Sequence, residues 1–218
     1  VVACLDDRDR IGPCVESLLR SRSGREYRIA VVDAGSNDGT TALLEQREDE
    51  GHLTLLRTPR ANLVAAWNLG LRATASEIVV LGRVSDVASG AGWLDAAEQC
   101  LVEQRDVAGV SLGARVAPPT APRGSEPGVG FQTVGAVSGG WLVFPRWILC
   151  HLGGFDESFA SPTGAALDLS LRARDAGYRL LRAESPSLDS SDGPLPPDDL
   201  ARLRARWAGR RDFAALLG

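Results

Sequence analysis

RIAVVDAGSNDGTTALL, residues 28–44, changes character twice along its length. Arg28 to Val32 is a short apolar run with two β-branched valines and reads as a buried strand. Asp33 to Thr40 follows and consists almost wholly of turn formers, including Gly35 and Gly39. From Thr40 to Glu48 the chain reads as a helix. A strand that ends in a small polar loop and passes into a helix is the first half of a βαβ unit. The fold depends on whether that pattern repeats on either side.

It does. Upstream, Val1 to Leu5 is a short apolar run, interrupted by the charged stretch Asp6 to Arg10. A helix is expected over 12–22, with Val15, Leu18 and Leu19 at helical spacing. Downstream, Leu53 to Arg57 reads as a third strand. Leu63 to Ala73 reads as a helix carrying Trp67, Asn68 and Leu71, and Ile78 to Leu81 as a fourth strand. This alternation implies an α/β fold: one domain with a mostly parallel, Rossmann-like sheet and helices on both faces.

The second half is less regular. A helix over 94–104 and a strand over 107–112 are expected. Residues 113–130 are crowded with Gly and Pro and read as a loop. A short apolar stretch, Gly140 to Pro145, leads to Gly153-Gly154-Phe155-Asp156-Glu157. Ser161-Pro162 opens a helix well, since serine caps and proline tolerates the first helical position. That helix ends near Gly177. The organisation expected is a domain over 1–183, a Ser/Pro/Asp-rich linker over 184–197, and a basic C-terminal helix over 198–218. The last helix carries Arg202, Arg204, Arg206, Arg210 and Arg211, which read as a solvated face or as a contact for an acidic protein partner.

Composition narrows the class. The chain has 218 residues and a net charge of −4, and all 24 of its basic residues are arginine. Nothing in that balance calls for nucleic acid. The four cysteines, at 4, 14, 100 and 150, lack zinc-site spacing and are expected as reduced, buried thiols. No apolar stretch is long enough for a membrane span, and no signal peptide precedes the first strand, so a cytoplasmic protein is the expectation.

Four blocks together carry a resemblance. VVDAGSNDGTTALL (31–44), RANLVAAWNLGLRATASEIVVL (60–81), GGWLVFPRWILCHLGGFDESF (139–159) and ALDLSLRARDAGYRLL (166–181) resemble, in order and spacing, successive blocks of the family 2 glycosyltransferases. These enzymes have the GT-A fold and move a sugar from a nucleotide diphosphate donor to an acceptor hydroxyl, usually with inversion. The resemblance implies a pocket for the nucleoside, a divalent cation held by an Asp-x-Asp motif under the diphosphate, and a carboxylate base for the acceptor.

On that resemblance Asp33 is the nucleobase-binding carboxylate; its other reading is that it ties down its own loop. Asp6 or Asp7 could touch the nucleoside, although the first strand ends in Cys4-Leu5-Asp6-Asp7 and not in the family's usual Pro-x-Tyr-Asn. Asp38 caps the following helix. Asn62 stands where the family has Gly, and Asn tolerates a left-handed backbone.

The chemical positions differ more. Gly82, Val84 and Ser85 occupy the places of the metal-binding carboxylates. Mn²⁺ or Mg²⁺ is expected for the family, but those side chains offer no carboxylate, so no cofactor is expected. Asp86 could serve only if the loop is shifted. Arg83 could hold the diphosphate in place of a cation, or lie across the surface. Ala166 stands at the base position with Ala165 beside it. Asp168 is two residues on, about 200° round the helix. Asp156 or Glu157 could act as a relocated base. Two functions are therefore expected: a glycosyltransferase-like binding or scaffold module with weak or lost catalysis, or an active metal-independent inverting transferase using Arg83 and Asp156 or Glu157. The ligand is a UDP-, GDP- or TDP-linked sugar in either case.

Overall fold

Alternation along the strands builds two cores, one on each face of a single sheet. In β1 (Val2–Cys4), Val2 and Cys4 enter one core and Ala3 the other. In β2 (Ala30–Asp33), Val31 and Val32 divide in the same way. This is the two-residue period of a strand buried on both faces.

The computed structural model describes residues 1–210 and 213, apart from 22, 25, 86, 89–91, 113–129, 139, 185–187 and 190–194. After β1 come α1 (Arg8–Arg20), β2, α2 (Thr40–Asp49), β3 (Thr54–Arg57), α3 (Leu63–Ala73), β4 (Ile78–Arg83) and the two-residue β5 (Val87–Ala88). Next are α4 (Trp93–Glu103), β6 (Val107–Leu112), β7 (Gly130–Val134), β8 (Trp141–Pro145) and α5 (Arg146–His151). The last elements are α6 (Pro162–Asp175), β9 (Arg179–Glu184), β10 (Leu188–Asp189) and α7 (Pro197–Trp207).

Eight strands form one sheet in the order β3-β2-β1-β4-β8-β6-β9-β7. β1 to β4 pair in parallel, as do β6 and β9, whereas β8 and β7 run against their neighbours. The sheet is thus mixed, with a parallel majority. β5 and β10 form a separate antiparallel pair. Trp67 and Leu71 of α3, Ile148 of α5 and Leu169 of α6 fill the core on one face. Leu18 of α1, Leu44 of α2 and Trp93 of α4 fill the other.

Several boundaries differ from expectation. α1 begins at Arg8, inside the charged stretch, because its first turn lies in solvent and needs no apolar residue. β7 and β9 were not expected as strands; Gly130–Val134 is a half-exposed edge, so its pattern lacks a continuous apolar run. Most of the expected loop over 113–130 and of the linker over 184–197 lies outside the described residues. Three cysteines are buried thiols, but Cys150 is exposed. No described helix is long and apolar enough to cross a membrane.

Candidate functional site

The pairs Cys4↔Asp33 and Ala3↔Arg83 set the upper ends of β1, β2 and β4 side by side. Ligands of open α/β sheets collect at this edge. Asp33, the Asp6–Asp7 turn and Arg83 therefore share it.

On the β1–β2 side the acids are held by their own loops. Asp33 is buried; its Oδ1 accepts from the Ser36 N–H at 2.9 Å and its Oδ2 from the Thr41 hydroxyl at 2.5 Å. Burial opposes its charge, but the bonds from Thr41 and Ser36 prevail and hold the carboxyl below its usual range. Asp6 adopts φ 54°, a left-handed conformation that Asp tolerates. That turn lets Asp6 accept from the Asn37 N–H (2.8 Å) and from Arg60 (3.0 Å). Asp7 accepts the Leu5 N–H at 3.0 Å. Asp38 accepts from the N–H and hydroxyl of Thr40 and from the Arg8 N–H, and these bonds pull its carboxyl down to about 2. Gly35 is required here, since a Cβ would stand 2.6 Å from the Arg60 nitrogen.

The end of β4 is closed by indoles. A Cβ on Gly82 would lie 2.1 Å from the Trp141 ring, so that ring occupies the space a side chain would need. The Trp67 Nε1–H donates to the Gly82 carbonyl from the opposite face at 3.1 Å. Val84 is buried in the same core as Trp93 and Trp141. Among the described residues no three His, Cys, Asp or Glu side chains lie close enough together to hold a metal ion. Asp86, the shifted-loop candidate, lies outside the described residues. Arg83 is partly buried and lines a narrow crevice with Trp67, Gly140, Pro162 and Thr163, which sets it beside the start of α6.

The segment Gly153–Glu157 is tied to α3 by Asn68. The Asn68 amide donates to the Phe155 carbonyl (2.7 Å) and to Glu157 Oε1 (2.9 Å), and its oxygen accepts the Phe155 N–H (3.1 Å). Asn62 is extended at φ −76° and caps α3 by accepting the Ala65 N–H. Capping, not a left-handed backbone, is what Asn supplies there.

Helix α7 decides the electrostatics of this side. Asp168 is fully buried and accepts from Arg172 (2.8 Å), Arg206 (2.8 Å) and the Trp207 Nε1–H (3.0 Å). The second Arg206 nitrogen donates to Asp156 at 2.7 Å. Burial of Asp156 opposes its charge, but bonds from Ser158 and Arg206 outweigh that and bring its carboxyl down to about 2. Asp199, also buried, accepts the N–H groups of Ala160 and Ser161 and the Ser161 hydroxyl. Arg206 thus keeps much of its side chain in solvent but spends its guanidinium on two carboxylates of its own chain, where the basic helix reads from sequence as a solvated face or a contact for an acidic partner. Ala165 and Ala166 are buried in the α3/α6 core. Glu157 is exposed, and Arg72 stands 3.7 Å from the oxygen bound by Asn68.

Residues 1–81 match the profile of the family described as Glycosyl transferase family 2. No curated protein sequence matches the chain significantly. Solved structures give the fold. GalNAc-T7 with UDP, GalNAc and Mn²⁺ superposes with a TM-score of 0.77 at 13% identity, covering 99% of this chain and 48% of that one. The mannosyltransferase PcManGT from Pyrobaculum calidifontis, in complex with GDP-Man and Mn²⁺, gives 0.66 at 20% identity over 99% and 76%. TarS from S. aureus gives 0.65 at 16% identity over 95% and 38%. The chain thus spans less than half of TarS and of GalNAc-T7, and it has the GT-A glycosyltransferase fold.

Proposed function

We propose that this chain is a family 2-like glycosyltransferase domain that binds the nucleotide diphosphate part of a sugar donor and transfers sugar weakly or not at all. The observation that carries the reading is the end of β4, where the Trp141 ring covers Gly82 and Val84 is buried. A carboxylate at either place would have to displace packed indole or aliphatic side chains. Among the described residues the side chains at this strand end do not fit the family's divalent cation.

The base position supports the same reading. Ala165 and Ala166 bring no proton acceptor, and Asp168 is engaged by Arg172, Arg206 and Trp207. Asp156, with its carboxyl near 2 and an arginine on it, has little drive to take a proton from a sugar hydroxyl. A general base contributes roughly 10²–10⁴ in rate, and cation stabilisation of a leaving diphosphate several kcal/mol more. In this reading Asp33 and Asp6 shape the nucleoside side, and Arg83 faces the phosphates as a fixed charge with a planar fork of donors. No disulfide joins the four cysteines, and Cys150 is exposed, which suits a reducing compartment such as the cytoplasm.

A second reading rests on two observations: Arg83 lies beside the start of α6, and Glu157 is exposed. An inverting transferase could then use Arg83 for the diphosphate and Glu157 as base. Incubation with UDP-, GDP- and TDP-sugars separates the two. The first reading expects sugar release at or barely above the uncatalysed rate, unchanged by Glu157→Gln. Turnover abolished by Glu157→Gln and by Arg83→Ala would establish the second.

A further inference from the structure

Three loops meet above the ends of β1, β2 and β3, and main-chain bonds lock two of them together. The Thr58 N–H donates to the Asp33 carbonyl and the Ala61 N–H to the Ala34 carbonyl, both at 3.1 Å. A Cβ on Gly35 would press into the backbone of Arg60, so residues 58–61 lie directly against the loop after β2. The backbone of Arg60 is thereby fixed, while its side chain is 59% exposed.

That side chain crosses the sheet edge. Its guanidinium donates to Asp6 at 3.0 Å. Asp6 follows β1, Arg60 follows β3, and β2 lies between those strands, so the pair spans the end of β2. Asp33 is the last residue of β2 and is only 3% exposed. The route to its carboxylate from the sheet edge runs past the Asp6–Arg60 pair.

Asp6 is also where the backbone is strained. Among the described residues it is the one non-glycine with a positive φ. Such strain persists only where the surroundings impose it, and it gathers at clamps and switches. Here three bonds impose it: the Asp6 N–H donates to the Ser36 hydroxyl at 2.9 Å, and Asp6 accepts from the Asn37 N–H and from Arg60. The first two lie within neighbouring turns. The third is an exposed ion pair, which opens at little cost.

We infer that the Asp6–Arg60 pair is a gate over Asp33, which a nucleoside must open to reach that carboxylate. The inference rests on the nucleotide-binding reading above. Closure lowers the apparent affinity by the fraction of the chain that is open.

The gate is tested first without ligand, by carbodiimide coupling of an amine to Asp33, read by mass spectrometry against the exposed Asp49. Arg60→Gln removes the ion pair, and Asp6→Asn does so while leaving Asn37 an acceptor. Both are expected to speed labelling of Asp33 about threefold, as is about 1 M salt on the parent chain, because exposed pairs are screened. In calorimetry both variants are expected to bind uridine about two- to fivefold more tightly than the parent. Unchanged labelling of Asp33 would overturn the gate and leave nucleotide binding standing. Weaker uridine binding in the variants would also overturn it, because the pair would then support the ligand. Faster labelling with no uridine bound by any of the chains would overturn the nucleotide reading, and the gate with it.

Discussion

The loops after β1 and β2 and the surroundings of α6 secure their carboxylates by different means. Around β1 and β2, Asp6, Asp7, Asp33 and Asp38 accept mostly main-chain N–H groups and threonine hydroxyls from loops at the same strand ends. Around α6, Asp156, Asp168 and Asp175 are held by arginines, three of whose contacts come from Arg206 and Arg210 near the end of the chain. Backbone donors cannot leave without unfolding the turn. A side-chain clamp depends on one helix staying docked. The loops after β1 and β2 are therefore held by their own backbone, whereas the region around Asp156 and Asp168 depends on α7.

The contrast is broken most directly at Asp168. Asp168→Ala leaves Arg172, Arg206 and the Trp207 indole without their buried acceptor and is expected to cost roughly 3–5 kcal/mol in urea denaturation. Asp38→Ala, at an exposed loop, is expected to move the midpoint far less. Equal losses would erase the distinction between the two sides. Asn68→Ala comes next, at about 2–3 kcal/mol, because it strands both peptide groups of Phe155 in the core.

Gly82→Ala is expected to cost about 1–2 kcal/mol by forcing its new methyl into the Trp141 ring. The loss should shrink in a Trp141→Leu background, and strict additivity would mean that the ring is not what fills that space. The smallest effect concerns pH. The folded-state carboxyl of Asp156 lies near 2, below its ordinary 3.8, so its contribution is present above pH 4 and is lost as pH falls toward 2. The urea midpoint of Asp156→Asn should therefore fall less steeply across that window than that of the parent chain.

Much of the first half was legible because its strands are buried on both faces and read as apolar runs. The loop at Asp33–Thr40 announced itself by its turn residues. β7 did not, since an edge strand with Phe131 and Val134 among polar neighbours lacks that signal. The role of Arg206 was hidden as well. Its partners Asp156 and Asp168 are far away in sequence, and no local spacing reports a contact of that separation. Gly82 was visible as a missing carboxylate, but the reason for a glycine there, the Trp141 ring on the neighbouring β8, required the strand pairing. Asn62 carries a readable signal, since an Asn directly before an apolar helix is a cap.

Calorimetric titration of the chain with UDP, in the presence and absence of Mn²⁺, bears most directly on the closed end of β4. One dissociation constant is expected for both conditions, with weaker binding in Arg83→Ala. A dissociation constant at least about tenfold tighter with Mn²⁺, a gain of about 1.4 kcal/mol, would contradict it.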